Sequence, residues 1–191
     1  MLRRSHAVLT LLLAGCGGGQ SSNQSAAQTG EVALTNASVE DVAAQTAAAG
    51  KAGAMRFEPG EWETTVTIDQ ASLPGMPTAA KSMERLKLAK TTTRNCVTPE
   101  QAARPNEAMF GGKGGNCRFD RYAMRGGKLD ATMRCTGAGM GGSEAVIAMT
   151  GRYAERSFDL VNTMTAAPMP GHPEITMTSR VIGKRLGACK S

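Results

Sequence analysis

The sequence predicts a mainly β domain in which an antiparallel meander of about seven strands curls into a sandwich or a partly open barrel. Three observations predict it: apolar and polar residues alternate in short runs, tight-turn signals separate several of these runs, and four cysteines lie in or beside them. One short helix and a disordered tether before the domain complete the expected architecture. The 191 residues include only seven aromatics (one Trp, two Tyr and four Phe), which leaves room for one domain and a tail.

The N-terminus has the organisation of an export signal. Two arginines precede an apolar stretch that ends in Leu13-Ala14-Gly15-Cys16, which resembles the bacterial lipobox. We therefore expect a lipoprotein signal peptide over residues 1–15 and a lipidated Cys16, whose two or three acyl chains would anchor the protein to a membrane. An ordinary signal peptide is the alternative. Gly17 stands where an Asp would retain an enterobacterial lipoprotein in the inner membrane, and this favours the periplasmic side of the outer membrane.

Residues 16–55 are predicted to form a lipidated, flexible tether. They are rich in Gly, Ser, Gln, Ala, Thr and Asn and contain few large apolar residues. One short helix is expected inside this tether, because Ser38 can cap a helix and Asp41 stands three residues further on. A helix of that length is marginal in isolation.

The β domain is predicted to occupy residues 56–191, and alternation identifies its strands. In the first strand, residues 61–68, Trp62 and Val66 share one face, where Trp62 is interpreted as a core residue. Six similar runs follow, at residues 86–97, 117–124, 128–135, 144–153, 157–164 and 174–182.

Turn signals connect several of these strands. Gly126-Gly127 predicts a tight hairpin, and Ala154-Glu155-Arg156 predicts a second tight connection. Residues 117–164 are therefore expected to form an antiparallel meander. The short helix of the domain is predicted at Thr98-Pro99-Glu100, where Thr98 can cap and Pro99 suits the first helical position.

Four cysteines remain besides Cys16, namely Cys96, Cys117, Cys135 and Cys189. An even set in an oxidising periplasm predicts two disulfides, for which three connectivities exist. We favour Cys96 with Cys117, which closes a short loop, and Cys135 with Cys189, which ties the chain end to a middle strand. Zinc sites use closely spaced cysteine pairs, and these cysteines lack that spacing.

Few side chains suit catalysis. His172 is the only histidine after the signal peptide, and its proline-rich loop is typical of a solvated turn. The thiols would be bridged, and no spacing nominates a pair of carboxylates. The glycine-rich residues 111–115 and 137–142 do not match a phosphate-binding loop. We therefore expect a non-catalytic protein without a cofactor or bound metal; an enzyme that uses carboxylates and His172 is an alternative.

Methionine is unusually frequent, with 12 in the chain. Met164, Met169 and Met177 stand near His172 in the sequence, and thioethers with an imidazole are ligands for Cu(I). The competing interpretation is that methionines inside the strands fill a core that is short of aromatics. A Met/His copper-binding protein is thus a further alternative.

Two apolar, proline-rich loops give candidate ligand contacts. Residues 73–77 include Met76, and residues 167–171 include Met169. Such loops at one end of a curled sheet would cap a hydrophobic cleft or touch lipid. Trp62, Met76, Met169 and His172 are therefore the candidate ligand-binding residues.

Basic charge is concentrated in the β domain, where residues 61–191 include 18 basic and 12 acidic side chains. An exported chain with few aromatics is a poor candidate for binding nucleic acid. The excess of basic charge favours anionic envelope surfaces, such as lipid headgroups or lipopolysaccharide, although it also serves solubility.

Several short motifs in the β domain form a family pattern. They are Gly60-Glu61-Trp62-Glu63, Arg94-Asn95-Cys96-Val97-Thr98-Pro99-Glu100, Gly115-Asn116-Cys117, Met133-Arg134-Cys135, Gly151-Arg152-Tyr153 with Ser157-Phe158, and Arg185-Leu186-Gly187-Ala188-Cys189. In this order they resemble the proteobacterial domain-of-unknown-function family 3617 over residues 56–190. The resemblance implies an exported, often lipid-anchored, mostly β domain with paired cysteines. It implies no activity and no catalytic residue.

The sequence as a whole predicts a lipid-anchored envelope protein that binds an apolar or anionic envelope ligand, or a protein partner, without catalysis. A purely structural envelope lipoprotein is the main alternative. No window reaches the roughly 18 apolar residues that an internal transmembrane helix needs.

Overall fold

The computed structural model describes residue 26 and residues 28–53, 57–75, 81, 84–85, 90–102, 116–136, 144–166 and 173–190. In these residues the chain forms eight strands and two helices. The strands are β1 (Val32–Ser38), β2 (Gly60–Ser72), β3 (Thr91–Val97), β4 (Asn116–Arg125), β5 (Lys128–Thr136), β6 (Glu144–Ala154), β7 (Ser157–Ala166) and β8 (Ile175–Gly187), and the helices are α1 (Val39–Lys51) and α2 (Pro99–Ala102).

All eight strands pair antiparallel in one sheet, in the order β1-β4-β5-β6-β7-β8-β2-β3. Strands β4 to β8 are neighbours both in the chain and in space, which confirms the predicted meander. Strands β1 and β3 form the two edges, and no pairing between the described residues joins them, so the sheet is open. The mainly β, antiparallel fold class is thus confirmed.

Two tight turns define one end of the sheet, which we call the turn end. Gly126 and Gly127 form the β4–β5 turn, and both have positive φ (53° and 73°), as a two-residue hairpin of this hand requires. Glu155 and Arg156 form the β6–β7 turn. Because neighbouring strands run in opposite directions, β1 and β2 begin at this end and β3 and β8 finish there.

The segment before residue 56 differs from the predicted tether. Strand β1 pairs with β4 from Val32, opposite Met124, to Ser38, opposite Arg118. Alternation did not reveal this strand, because it is short and built mostly from small side chains. Residues 32–38 therefore extend the sheet by one edge strand.

Helix α1 follows directly, and the helix predicted from Ser38 and Asp41 is confirmed. The Ser38 hydroxyl accepts a hydrogen bond from the Asp41 amide at 3.0 Å, and the Asp41 carboxylate accepts one from the Ser38 amide at 3.2 Å. These two bonds form a capping box. Val42 and Ala49 on the inner face of α1 are fully buried. The helix is marginal alone and is held here by packing on β1 and β4.

The core lies between α1 and the apolar face of the sheet. Its largest fully buried side chains are Phe119 and Tyr122, whose rings meet edge to face with centroids 5.2 Å apart. A second aromatic cluster of Phe57, Trp62 and Phe158 lies at the turn end. Trp62 is 3% exposed, in agreement with its assignment to the core.

The two disulfides join the four predicted cysteines, but the favoured pairing was wrong. Cys117 bonds to Cys135, which lies directly opposite in the β4–β5 ladder with a Cα–Cα distance of 4.1 Å. Cys189, just after β8, bonds to Cys96 near the end of β3, with a Cα–Cα distance of 5.4 Å. Strand register decides the first pair, and the second follows from the position of β2 between β8 and β3.

The packing of α1 is tested by Val42→Ala. We expect this substitution to lower the free energy of unfolding by about 1 to 3 kcal/mol, because it opens a cavity beneath the helix. Chemical denaturation measures the change. Ala44→Ser, at an exposed position of the same helix, is the control and should change stability by less than about 0.5 kcal/mol. Equal stability of the two variants would show that the segment does not pack on the sheet.

The disulfide pairing is tested by tryptic digestion without reductant, because trypsin separates all four cysteines. We expect peptide 95–113 to be linked to peptide 186–190, and peptide 114–118 to be linked to peptide 135–152. Mass spectrometry distinguishes these products from the alternative pairings. A link between peptides 95–113 and 114–118 would contradict the structure.

Candidate functional site

A pocket of about 780 Å³ lies at the turn end of the sheet. The two hairpin turns and the last residues of β8 form it. Its lining residues are Gly126, Gly127, Lys128, Arg152, Tyr153, Ala154, Arg156, Ser157, Phe158, Asp159, Ile182, Gly183, Lys184 and Arg185. The volume is typical of sites that bind small molecules. We call it the turn-end pocket.

Short backbone contacts hold the walls of the pocket together. The Tyr153 amide donates to the Gly127 carbonyl at 2.9 Å, which joins the end of β6 to the β4–β5 turn. The Glu58 amide donates to the Glu155 carbonyl at 2.8 Å, which joins the segment before β2 to the β6–β7 turn. Backbone hydrogen bonds therefore connect the elements that surround the pocket.

An aromatic cluster packs beneath the pocket, because Tyr153 and Phe158 pair one position along from Arg152 and Asp159 and therefore point to the opposite face of the sheet. Phe158 stacks on Trp62, with ring centroids 5.9 Å apart and an interplanar angle of 18°. Phe57 meets Trp62 edge to face at 5.5 Å. The Phe158 ring fits because β8 has a glycine opposite it, and a Cβ at Gly183 would overlap this ring. Burial raises the pKa of the Tyr153 phenol, so this side chain is neutral at physiological pH.

The Trp62 indole ties this aromatic cluster to the backbone. Its Nε1 group donates a hydrogen bond to the Glu58 carbonyl at 2.9 Å. The buried indole is therefore satisfied as a donor. Its role is to support Phe158 from behind the pocket.

Lys128 and Arg152 form the basic side of the pocket and lie directly opposite each other in the β5–β6 ladder. Asp159 lies opposite Arg152 on the other side, in the β6–β7 ladder. However, the Asp159 carboxylate accepts two hydrogen bonds from Arg180, at 2.7 and 2.5 Å. These bonds lower the pKa of Asp159, which stays ionised and engaged with Arg180.

Three cations of the pocket lack an anionic partner in the described part of the chain. No carboxylate there lies within 4.0 Å of Lys128, Arg152 or Lys184. Like charges that lie directly opposite each other in a ladder destabilise a sheet, so the pairing of Lys128 with Arg152 lowers the stability of the domain. An anion between them would relieve that repulsion.

Two further arginines of the pocket have structural partners. The Arg156 and Arg185 side chains lie 3.6 and 3.4 Å from the Glu58 carboxylate. Arg185 also donates to the Pro59 carbonyl at 2.9 Å, and its side chain is only 17% exposed. These two residues hold the segment that leads into β2, so their charges are already engaged within the domain.

Of the candidate site residues predicted from the sequence, only Trp62 lies in the part of the chain that the structure describes. Trp62 supports the pocket through Phe158, whereas Cys16, Met76, Met169 and His172 lie outside the described residues. Lys128, Arg152 and Lys184 were not predicted as a group from the sequence. They are far apart in the chain, and only the strand register brings them to one end of the sheet.

The metal hypothesis stays a prediction. Met164 and Met177 lie directly opposite each other in the β7–β8 ladder, and the loop with Met169 and His172 connects these strands outside the described residues. Among the described residues, no group of three or more His, Cys, Asp or Glu side chains is placed to hold a metal ion. A Cu(I) titration with a competing chelator would decide the matter.

Together, the open antiparallel sheet, the two disulfides and the basic pocket define a small disulfide-linked β domain with a candidate binding site. The chain belongs to the family described as protein of unknown function, DUF3617, whose model matches residues 57–189. This match confirms the resemblance found in the sequence, and it includes the whole pocket and all four bridged cysteines. No curated protein and no solved structure matches the chain. Among the described residues, no helix is long and apolar enough to cross a membrane.

The close fit of Phe158 over Gly183 is tested by Gly183→Ala. We expect the added methyl group to displace the Phe158 ring, change the fluorescence of Trp62 and lower the free energy of unfolding by about 1 to 3 kcal/mol. Trp62 is the only tryptophan, so the emission spectrum reports on this cluster alone. Gly187→Ala in the same strand is the matched control, since a Cβ there meets nothing within 4 Å. Identical spectra for both variants would refute the proposed contact.

Proposed function

We propose that the protein is a lipid-anchored bacterial envelope protein whose β domain binds an anionic amphiphile in the turn-end pocket, without catalysis. One observation carries the proposal: Lys128, Arg152 and Lys184 have no carboxylate partner among the described residues and line the same pocket as Ile182, a large hydrophobic side chain that is 40% exposed. A ligand with an anionic group and an apolar part matches both sides of this pocket.

The chemistry of the cations favours a phosphate or carboxylate group in the ligand. The planar guanidinium of Arg152 can bind two oxygens at once, and Lys128 on the neighbouring strand supplies a compact positive charge. Binding would also remove the repulsion between these two side chains. A polar headgroup would thus lie between them, with the apolar part of the ligand against Ile182, which the strand register places on the same face as Arg152.

The cellular localisation of the protein is part of the proposal. The lipobox-like residues that end in Cys16 support a lipid anchor, and Gly17 supports the periplasmic side of the outer membrane. Two disulfides agree with an oxidising compartment. A purely structural envelope lipoprotein has the same address but needs no unpaired cations in a pocket.

Ligand binding is tested with a short-chain phospholipid kept below its micelle concentration. Saturable binding is expected for dihexanoylphosphatidylglycerol, measured by isothermal titration calorimetry, and weaker binding for the zwitterionic dihexanoylphosphatidylcholine. Lys128→Gln and Arg152→Gln should each reduce affinity for the anionic lipid by about tenfold or more, because each removes a charged hydrogen-bond donor.

The matched control is Lys90→Gln, which removes one positive charge beside the start of β3, the edge strand that β2 separates from β8. It should leave the affinity unchanged. Equal binding of the two lipids, or an equal effect of all three substitutions, would contradict a specific pocket. No binding of either lipid would favour the structural alternative.

The lipid anchor is tested by mass spectrometry of protein extracted from its own envelope. The N-terminal peptide is expected to begin at Cys16 and to carry diacylglycerol and an N-acyl chain. Separation of the inner and outer membranes then locates the protein. An N-terminal peptide without acyl chains would contradict the anchor and leave the pocket proposal unaffected.

A further inference from the structure

The chain enters the sheet at the turn end. Strand β1 begins there, with Val32 opposite Met124, one residue before the last residue of β4. The Glu31 carboxylate lies 3.7 Å from Arg125, the last residue of β4. The chain therefore enters β1 at the turn end, near the β4–β5 turn that lines the pocket.

The length of chain between the folded domain and the predicted lipidation site is limited. Only ten residues, 16–25, lie between the predicted N-terminal end of the mature chain and Ala26, which is buried at 1% exposure. Ten residues span at most about 36 Å when fully extended. A lipid on Cys16 would therefore tether the domain to the bilayer by its turn end.

The same end carries both kinds of side chain that favour an anionic lipid surface. The three unpaired cations Lys128, Arg152 and Lys184 lie there. Ile182 and Leu186, both 40% exposed, lie near the end of β8 and are the large hydrophobic side chains that the described residues expose. Cations bind headgroup phosphates, and exposed apolar side chains enter the boundary between headgroups and acyl chains.

One cation toward the opposite end of the sheet has two carboxylate partners. Arg134 on β5 is bound by both Asp120 and Glu144. Its charge is therefore neutralised within the domain. Lys128, at the start of the same strand, differs from it because it has no carboxylate partner among the described residues.

We infer that the turn end is a membrane-docking surface, which the lipid anchor at Cys16 and the three unpaired cations hold against the anionic headgroups of a bilayer. The inference rests on the proposed function, which supplies the lipid anchor and the amphiphilic ligand. Docking by the turn end would place the pocket at the membrane surface, where such a ligand is found. Lipid anchors commonly act together with a basic patch in this way. Each cation near an anionic surface strengthens association by about fivefold.

The experiment uses the lipidated full-length mature protein in vesicles, so that the anchor keeps every variant on the membrane. Vesicles of pure phosphatidylcholine are compared with vesicles that also contain phosphatidylglycerol, and hydrogen exchange is measured by mass spectrometry. With phosphatidylglycerol, exchange at residues 125–128 and 154–157 should slow by roughly fivefold or more, since exchange then requires the undocked state. Residues 134–136 and 144–146, at the opposite end, should exchange equally in both vesicles.

The variant Lys128→Gln/Arg152→Gln/Lys184→Gln should lose this protection while it stays attached to the vesicles. Lys90→Gln is the matched control and should keep the protection. Equal exchange in the two kinds of vesicle, or protection that includes the opposite end, would overturn the docking surface. If dihexanoylphosphatidylglycerol still binds the protein without its lipid anchor in solution, only the docking inference has failed; if it does not, the proposed pocket function has failed as well.

Discussion

The register of the antiparallel sheet is the constraint on which the turn end depends. It places Lys128 opposite Arg152, Arg152 opposite Asp159, and the Phe158 ring over Gly183. A slip of one residue would turn these side chains to the other face of the sheet. The β4–β5 hairpin resists such a slip at both ends, through its two-glycine turn and through the disulfide between Cys117 and Cys135. The basic pocket is thus a product of pairing geometry.

The charge of the pocket depends on how a few carboxylates are shared. Asp159 has two arginine neighbours, and Arg180 takes both of its oxygens in a two-point contact that Arg152 does not make. Glu58 is similarly engaged by Arg156 and Arg185. The formal charge of the chain, +6, does not reveal this arrangement, because it counts paired and unpaired cations alike. The distribution of acids therefore turns a mixed surface into one with a localised basic site.

Local signals in the sequence were sufficient to predict most of the strands and helices. Alternation predicted seven of the eight strands, and Ser38 with Asp41 predicted α1. Strand β1 was missed because its side chains are mostly small and its partner, β4, is remote in the chain. The disulfide pairing and the basic pocket were not predictable for one shared reason. Both depend on which residues of distant strands face each other, and sequence separation carries no such information.

Strand β1 and helix α1 lie before residues 57–189, the part of the chain that the family model matches. They nevertheless cover the outer backbone edge of β4 and help to bury Phe119 and Tyr122. A chain shortened to the matched residues would present β4 as a bare edge beside an uncovered aromatic core. Such edges recruit strands from other molecules. Strand β1 and helix α1 therefore also protect the protein from aggregation, a task that the boundaries of the family do not suggest.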